Sequence, residues 1–378
     1  MRNAQGTFQP RWEPLARVFD ELLKHDSDLG ASLALTVDGE FVLDLWGGYR
    51  DEARAEPWQS DTLTHVWSTT KTMTALAALL LAERGELDLD APVCRYWPEF
   101  AANGKSQVLV RHLLGHTSGV SGWEQPVTMQ DLCDWERCTS LLAAQTPWWA
   151  PGSASGYHAL NYGHLVGEVI RRITGRKTGA FLADEIAGPL GADFFIGLPP
   201  EADARVARVV PPPPLAVDFA AIDPASPMMR TLANPVADAA FSHRTDWCRA
   251  DIGAANGHGN ARSVARIQSI VACDGTLDGR RWLSPRTVAR IFEPQARGVD
   301  LVLGVPLQMG IGYGLPMPEL MPFIPDRRIC FWGGWGGSLV VVDTERRMCM
   351  AYMMNRMAPG IVGGPNAAAL VTALYAVD

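Results

Sequence analysis

Ser68-Thr69-Thr70-Lys71 runs straight into Thr72-Met73-Thr74-Ala75-Leu76-Ala77-Ala78-Leu79-Leu80-Leu81-Ala82-Glu83. The second part is apolar on every face and is stopped by Gly85, which predicts a helix buried all round. The first part is S-x-x-K at that helix's start. Residues i and i+3 share a helix face, so the hydroxyl and the ammonium can meet. A helix N-terminus also offers free N–H groups and a positive dipole end, which suit an oxyanion. Burial lowers a lysine's proton affinity and so helps it activate a serine. The chain has only four lysines, Lys24, Lys71, Lys105 and Lys177, against 29 arginines, and this is its only S-x-x-K. Taken alone, the motif equally describes a serine near a helix start with a lysine snorkelling outward. Partners decide.

Working outward, Leu15, Val18, Phe19, Leu22 and Leu23 recur at helical spacing. Two strand-like runs follow, residues 31–36 and 40–46, joined by the hairpin signal Asp38-Gly39. Beyond the buried helix the pattern predicts helices over residues 160–173 and 180–186. Proline-rich chain follows: Pro199-Pro200, the tetrad Pro211 to Pro214, then Pro224, Pro227 and Pro235. That segment is too long for a plain connection and is expected to form a lid or site wall. Helices are predicted again at 261–271, 284–292 and 366–376, and strands at 338–343 and 348–354. Strands at both ends and helices between them predict an α/β (α+β) domain of residues 1–75 and 246–378. A helical domain, 76–245, is inserted in it.

Composition bounds the function. Thirty-three basic against 41 acidic residues give a net charge of −8, with no basic run, so neither nucleic acid nor an anionic membrane is an expected partner. No segment reaches the roughly 18 consecutive apolar residues a membrane span requires. The start, residues 1–12, lacks an apolar core of a signal peptide, so a cytoplasmic protein is expected. Seven cysteines without C-x-x-C spacing fit reduced, mostly buried thiols. Tryptophan is abundant, 13 against 12 phenylalanines.

Further motifs follow S-x-x-K in order. They are residues 84–93 (RGELDLDAPV), residues 111–119 (RHLLGHTSG), Pro151-Gly152, Tyr157, Asn161-Tyr162-Gly163, Thr174-Gly175 and Pro189-Leu190-Gly191. Over Ser32 to Tyr375 the chain thereby resembles the serine β-lactamase and penicillin-binding-protein superfamily. The resemblance implies an antiparallel sheet flanked by helices with a mostly helical insertion. Its second element, Tyr-x-Asn, is met by Tyr157, but with Ala159 in the asparagine's place. Its third, Lys-Thr-Gly on a strand, has a decoy in Lys177-Thr178-Gly179, which lies between two helical segments. The strand element is instead Trp332-Gly333-Gly334, before the apolar strand at 339–342. Trp-Gly-Gly with S-x-x-K and a lone tyrosine resembles the family VIII carboxylesterases.

This resemblance implies Ser68 as nucleophile, Lys71 and Tyr157 as its proton-handling partners, and the N–H groups of Ser68 and Trp335 as oxyanion donors. Which of Lys71 and Tyr157 is the base stays open. Loss of a cation and an amide in favour of Trp332 and Ala159 predicts neutral, less polar substrates, hence small-molecule esters of short to medium acyl chain. A β-lactamase, a D-amino-acid peptidase and an acyltransferase are the alternatives. Trp332, Gly333, Gly334 and Trp335 are expected to contact substrate, as are Trp123 and Trp149; Trp67 and Trp148 extend the same aromatic wall. No cofactor is expected. His112 and His116 are spaced like zinc ligands, but Leu113 replaces the glutamate of H-E-x-x-H and no third ligand presents itself. Gly257-His258-Gly259 reads as a turn capped by Asn260.

Overall fold

The computed structural model describes residues 3–213, 222–360 and 363–377, so Pro214 lies outside the described residues. Among the described residues there are fourteen strands. β1 (Ala4–Phe8), β2 (Gly30–Val37) and β3 (Glu40–Gly48) come first. β4 (Thr64–His65), β5 (Phe194–Ile196) and β6 (Gly257–Gly259) form a small sheet, and β7 (Thr276–Leu277) and β8 (Arg280–Arg281) a hairpin. The C-terminal third adds β9 (Ala296–Val299), β10 (Pro306–Met309), β11 (Gly314–Leu315), β12 (Ile329–Gly333), β13 (Leu339–Asp343) and β14 (Met348–Met354). The main sheet runs β1-β3-β2-β14-β13-β12-β11-β10-β9, every neighbouring pair antiparallel.

Its centre is therefore the pairing of an early strand with the last one, Leu33 opposite Tyr352. The β2–β3 turn is the predicted one. Asp38 and Gly39 both take positive φ, +52° and +85°, as a two-residue turn matched to strand twist requires. Both sheet faces are covered. Ser32 and Thr36 reach the Ala261–Ala272 helix, through Ala261 N–H and the Ser269 hydroxyl. From the opposite face the Tyr352 hydroxyl donates to Asp28, which Asn366, in the first turn of the Pro365–Tyr375 helix, also contacts. That helix packs against the Glu13–Lys24 helix.

The Thr70–Glu83 helix is buried at every position from Thr70 to Leu81. It packs on the Tyr162–Thr174 helix. Tyr313 joins it to the Ala261–Ala272 helix by donating to Thr72 O and Gln268 Oε1. Gly85, at φ +74°, ends it. Among the described residues no helix is long and apolar enough to cross a membrane.

Two local readings need comment. Gly257-His258-Gly259 is not a turn but β6, the middle strand of the small sheet, with His258 opposite both His65 and Phe195. The glycines make room: a Cβ on Gly257 would lie 2.5 Å from Thr70 Oγ1 and 2.6 Å from the Phe194 ring. Asn260 does cap the following helix, accepting from Ser263 N–H at 2.9 Å. Lys177-Thr178-Gly179 opens the Thr178–Leu182 helix rather than a strand.

Candidate active site

The chain enters the Thr70–Glu83 helix through a single 3-10 turn, Trp67–Thr69. Trp67 sits in the left-handed region at φ +48°, a conformation that costs a non-glycine residue roughly 1–3 kcal/mol and persists only where its surroundings enforce it. Here they do. Val66 O accepts from Ser338 Oγ at 2.9 Å and from Thr69 N–H at 3.2 Å. The Trp67 ring is wedged between His65 and Trp335, at 4.2 and 5.0 Å between centroids. The strained turn presents Ser68 beside the end of β12.

Lys71 follows one turn on, fully buried. Its Nζ lies 3.0 Å from Ser68 Oγ and donates to two carbonyls, Ala159 O and Ala254 O, each at 2.8 Å. Among the described residues no carboxylate pairs with it. Burial alone therefore holds its proton affinity well below the ordinary lysine value. Tyr157 stands over it, with Nζ 4.8 Å from the ring centroid. The tyrosine hydroxyl accepts from Trp332 Nε1 at 3.1 Å, and Tyr157 lines the same cavity as Ser68. Burial raises its pKa above the usual tyrosine range, so it is a phenol at neutral pH. Ser68, Lys71 and Tyr157 thus form one contiguous cluster. Its third-position departure is explained too: Ala159 contributes a backbone carbonyl, not a side chain.

The N–H groups of Ser68 and Trp335 find no acceptor among the described residues, which leaves both available to a ligand oxygen. Trp335 and Ser68 line the same cavity of about 640 Å³. Its walls come from Trp67, Leu160, Leu232, Val236 and the proline-rich chain at Pro211–Pro213 and Pro235. The expectation of a site wall from that chain is met for these residues. No lysine or arginine is among the described residues lining the cavity.

Three tryptophans expected to touch substrate do not line it. Trp332 is 1% exposed and lies behind Tyr157, its ring 5.3 Å from the tyrosine's. Trp123 is a core residue of the helical region, donating to Cys138 O and set edge-on to His164. Trp149 donates to Ala154 O and lies over Gly156, where a Cβ would come within 2.4 Å of it. All three sit next to site motifs in sequence, but their rings turn away from the opening. Gly333 and Gly334, also expected to contact substrate, are not among the lining residues and are closely packed. A Cβ on Gly334 would meet Val66 O at 2.2 Å, and one on Gly333 would meet Ser338 O at 2.7 Å.

What holds Tyr157 was not apparent beforehand. The buried Asp300 carboxylate accepts from Ser155 Oγ and from the N–H groups of Tyr157, Val302 and Leu303, at 2.8 to 3.0 Å. One signal existed: a lone acid within the apolar run Val299 to Leu303. His158 braces the same loop. Its Nδ1 faces Gly156 O at 2.7 Å, and since a carbonyl only accepts, the ring proton is there; Nε2 then accepts from Ser118 Oγ at 2.6 Å. Burial depresses its pKa to about 3, so it stays neutral. The His158 N–H in turn donates to His116 Nδ1. Thus His116 supports the tyrosine loop, and no group of three potential metal-ligating side chains occurs among the described residues.

A serine on a strained turn at a buried helix start, touching a desolvated lysine and a tyrosine beside an antiparallel strand, defines a protein of the β-lactamase and penicillin-binding-protein class. The Beta-lactamase family model matches residues 15–373, and the chain belongs to that family. It is 35% identical to the esterase/beta-lactamase LipL of Mycobacterium tuberculosis over 376 residues, covering 96% of this chain and 85% of that one. Among solved structures, a family VIII carboxylesterase superposes with a TM-score of 0.93 at 38% identity, over 99% of this chain and all of the other. EstA from Arthrobacter nitroguajacolicus Rue61a gives 0.87 at 32% identity, over 99% of this chain and 98% of that chain.

Proposed function

We propose that the protein hydrolyses carboxylic esters of small, neutral substrates through an acyl-enzyme on Ser68. The observation that carries the assignment of roles is the environment of Lys71. A neutral amine has two N–H bonds and one lone pair. Ala159 O and Ala254 O, both 2.8 Å away, take the two N–H bonds, which leaves the lone pair for the Ser68 hydroxyl 3.0 Å away. Lys71 is then the general base that accepts the serine proton as Oγ attacks the ester carbonyl. The developing oxyanion is received by the N–H groups of Ser68 and Trp335. Tyr157, held as a phenol, protonates the departing alkoxide, and the Lys71 ammonium restores the tyrosine proton. Water repeats the sequence on the acyl-enzyme and releases the acid. The fit of esters rests on a cavity walled by apolar side chains, with no cation among its described lining residues to engage a substrate carboxylate. That absence disfavours β-lactams, and the similarity to esterases agrees.

The test compares p-nitrophenyl butyrate with a chromogenic cephalosporin. Wild type should turn over the ester faster, and Ser68→Ala should lose at least about 10³-fold in kcat. Ester turnover that survives in Ser68→Ala refutes the mechanism; a cephalosporin rate above the ester rate refutes the substrate class.

A further inference from the structure

The site holds two hydrogen-bonded pairs, Trp332 with Tyr157 and Lys71 with Ser68, beside one cavity, and their outer ends differ in kind. At one end stands Trp332, whose indole N–H can donate and has nothing with which to accept. It points at the Tyr157 oxygen from 3.1 Å. At the other end are Ala159 O and Ala254 O, which can only accept and which occupy Lys71 Nζ. Between them are two groups able to donate or accept, the Tyr157 and Ser68 hydroxyls, whose residues line one cavity. We propose that Trp332 is a positioning residue that fixes the direction of proton flow, because its N–H bars the Tyr157 proton from pointing away from Ser68. With the tyrosine oxygen engaged by the buried indole, its O–H is left for the cavity that Ser68 lines and for the alkoxide leaving the carbonyl carbon that Oγ attacks. The serine O–H is in turn aimed at the Lys71 lone pair. Each pair then runs one way, indole to phenol and serine to amine, and the amine's own N–H bonds end on carbonyls. The inference rests on the ester reading above and deepens it.

Burial makes this orientation consequential. Trp332 is 1% and Tyr157 2% exposed, so the indole N–H has the phenol oxygen and not bulk water as its partner. The indole is uncharged, unlike a lysine at that strand position, so it directs the tyrosine proton without driving it off. Proton balance follows. The Ser68 proton passes to Lys71 as the Oγ–carbon bond forms. As the carbon–oxygen bond to the alcohol breaks, the Tyr157 proton passes to the alkoxide, and the lysine ammonium replaces it.

This role separates from a substrate contact and from mere packing. Trp332→Phe keeps a ring and removes the N–H. Should that variant fold poorly, 3-benzothienylalanine at position 332 keeps the indole's shape and also lacks the N–H. Each is assayed with ethyl butyrate, whose alkoxide must be protonated, and with p-nitrophenyl butyrate at mildly alkaline pH, whose leaving group departs as an anion. The expected result is a loss of about tenfold in kcat on ethyl butyrate, a loss of less than about threefold on p-nitrophenyl butyrate, and KM within about twofold on both. In a Tyr157→Phe background the same change should cost nothing further on p-nitrophenyl butyrate. Equal losses on the two esters, an added loss in the Tyr157→Phe background, or a raised KM at constant kcat each overturn the proposal. Wild type inactive on both esters would instead overturn the ester reading on which it rests.

Discussion

Lys71 is a buried cation-forming group with no anion beside it among the described residues, and that sets the pH behaviour of the site. Desolvation lowers its pKa well below the ordinary 10.5. The deprotonated amine is the form that accepts the serine proton, so kcat/KM should be flat where Lys71 is neutral and fall as pH drops through its depressed pKa. Tyr157 shifts the other way, above its usual 10.0, again chiefly through burial. No alkaline limb from tyrosine ionisation should therefore appear below that value. A profile of kcat/KM for p-nitrophenyl butyrate, from acid to alkaline pH, checks both signs. An alkaline fall below pH 10.0 that Tyr157→Phe abolishes would show the tyrosine ionising there, against its raised pKa, and a rise in kcat/KM with tyrosine ionisation would reverse the roles of base and acid. Asp300 belongs to this scale as well. Asp300→Asn keeps the size of the side chain but swaps one of its acceptor oxygens for an N–H donor, while four donors converge on that carboxylate. It should lower kcat by about tenfold or more by releasing the Tyr157 loop. Unchanged kcat in a folded Asp300→Asn protein would show that the loop does not depend on it. Ser68 and Lys71 could be picked out in the sequence because they share a short motif of fixed spacing, and Tyr157 because of its place in the order of motifs that carries the family resemblance. Asp300 lies 143 residues from Tyr157, and only the fold brings it there.

At the level of elements, the site depends on β12 lying tightly against the Ser68 turn, and Gly334 is where they touch. A Cβ there would stand 2.2 Å from Val66 O, a backbone atom that cannot move aside without shifting the turn. Gly334→Ala should cost about 1–3 kcal/mol in denaturant unfolding and lower kcat along with it. Gly85→Ala is the useful contrast. Its φ is +74° with nothing within 4 Å, so it should lose about 1 kcal/mol through backbone strain alone and leave kcat untouched. Equal kcat in both variants would mean that β12 does not position the nucleophile. The elements that could be read in advance, such as β2, β3, β14 and the 70–83 helix, are those whose apolar period is long enough to register. β6 could not. Three residues with two glycines look like a turn, and only pairing with β4 and β5, from distant parts of the chain, makes them a strand. The tryptophans failed for a related reason: nearness in sequence to a motif does not set which way a ring points.

For the molecule as a whole, the cavity is what converts a shared site into a substrate preference. Its catalytic floor comes from the buried helix and the Tyr157 loop, while Pro211–Pro213, Leu232 and Pro235–Ala239 build the walls. Those wall segments have little regular structure, so their role emerges only when the chain is folded around the site. The lining is predominantly apolar, with Thr231 and Asp238 its main polar exceptions beyond Ser68 and Tyr157. The Asp238 carboxylate is engaged in capping, accepting from Ala240 N–H at 2.8 Å. Each methylene moved from water into such a surface contributes about 0.8 kcal/mol, roughly a fourfold gain in kcat/KM. With the leaving group fixed as p-nitrophenol, kcat/KM should rise by about that factor per carbon from acetate to butyrate, then level off as the acyl chain outgrows the walled space. Leu232→Ala should flatten the rise more than it slows the acetate ester, because the acetyl group is too short to use that wall. A series flat in acyl length but steep in the length of the alcohol would place the leaving group, not the acyl chain, against these walls.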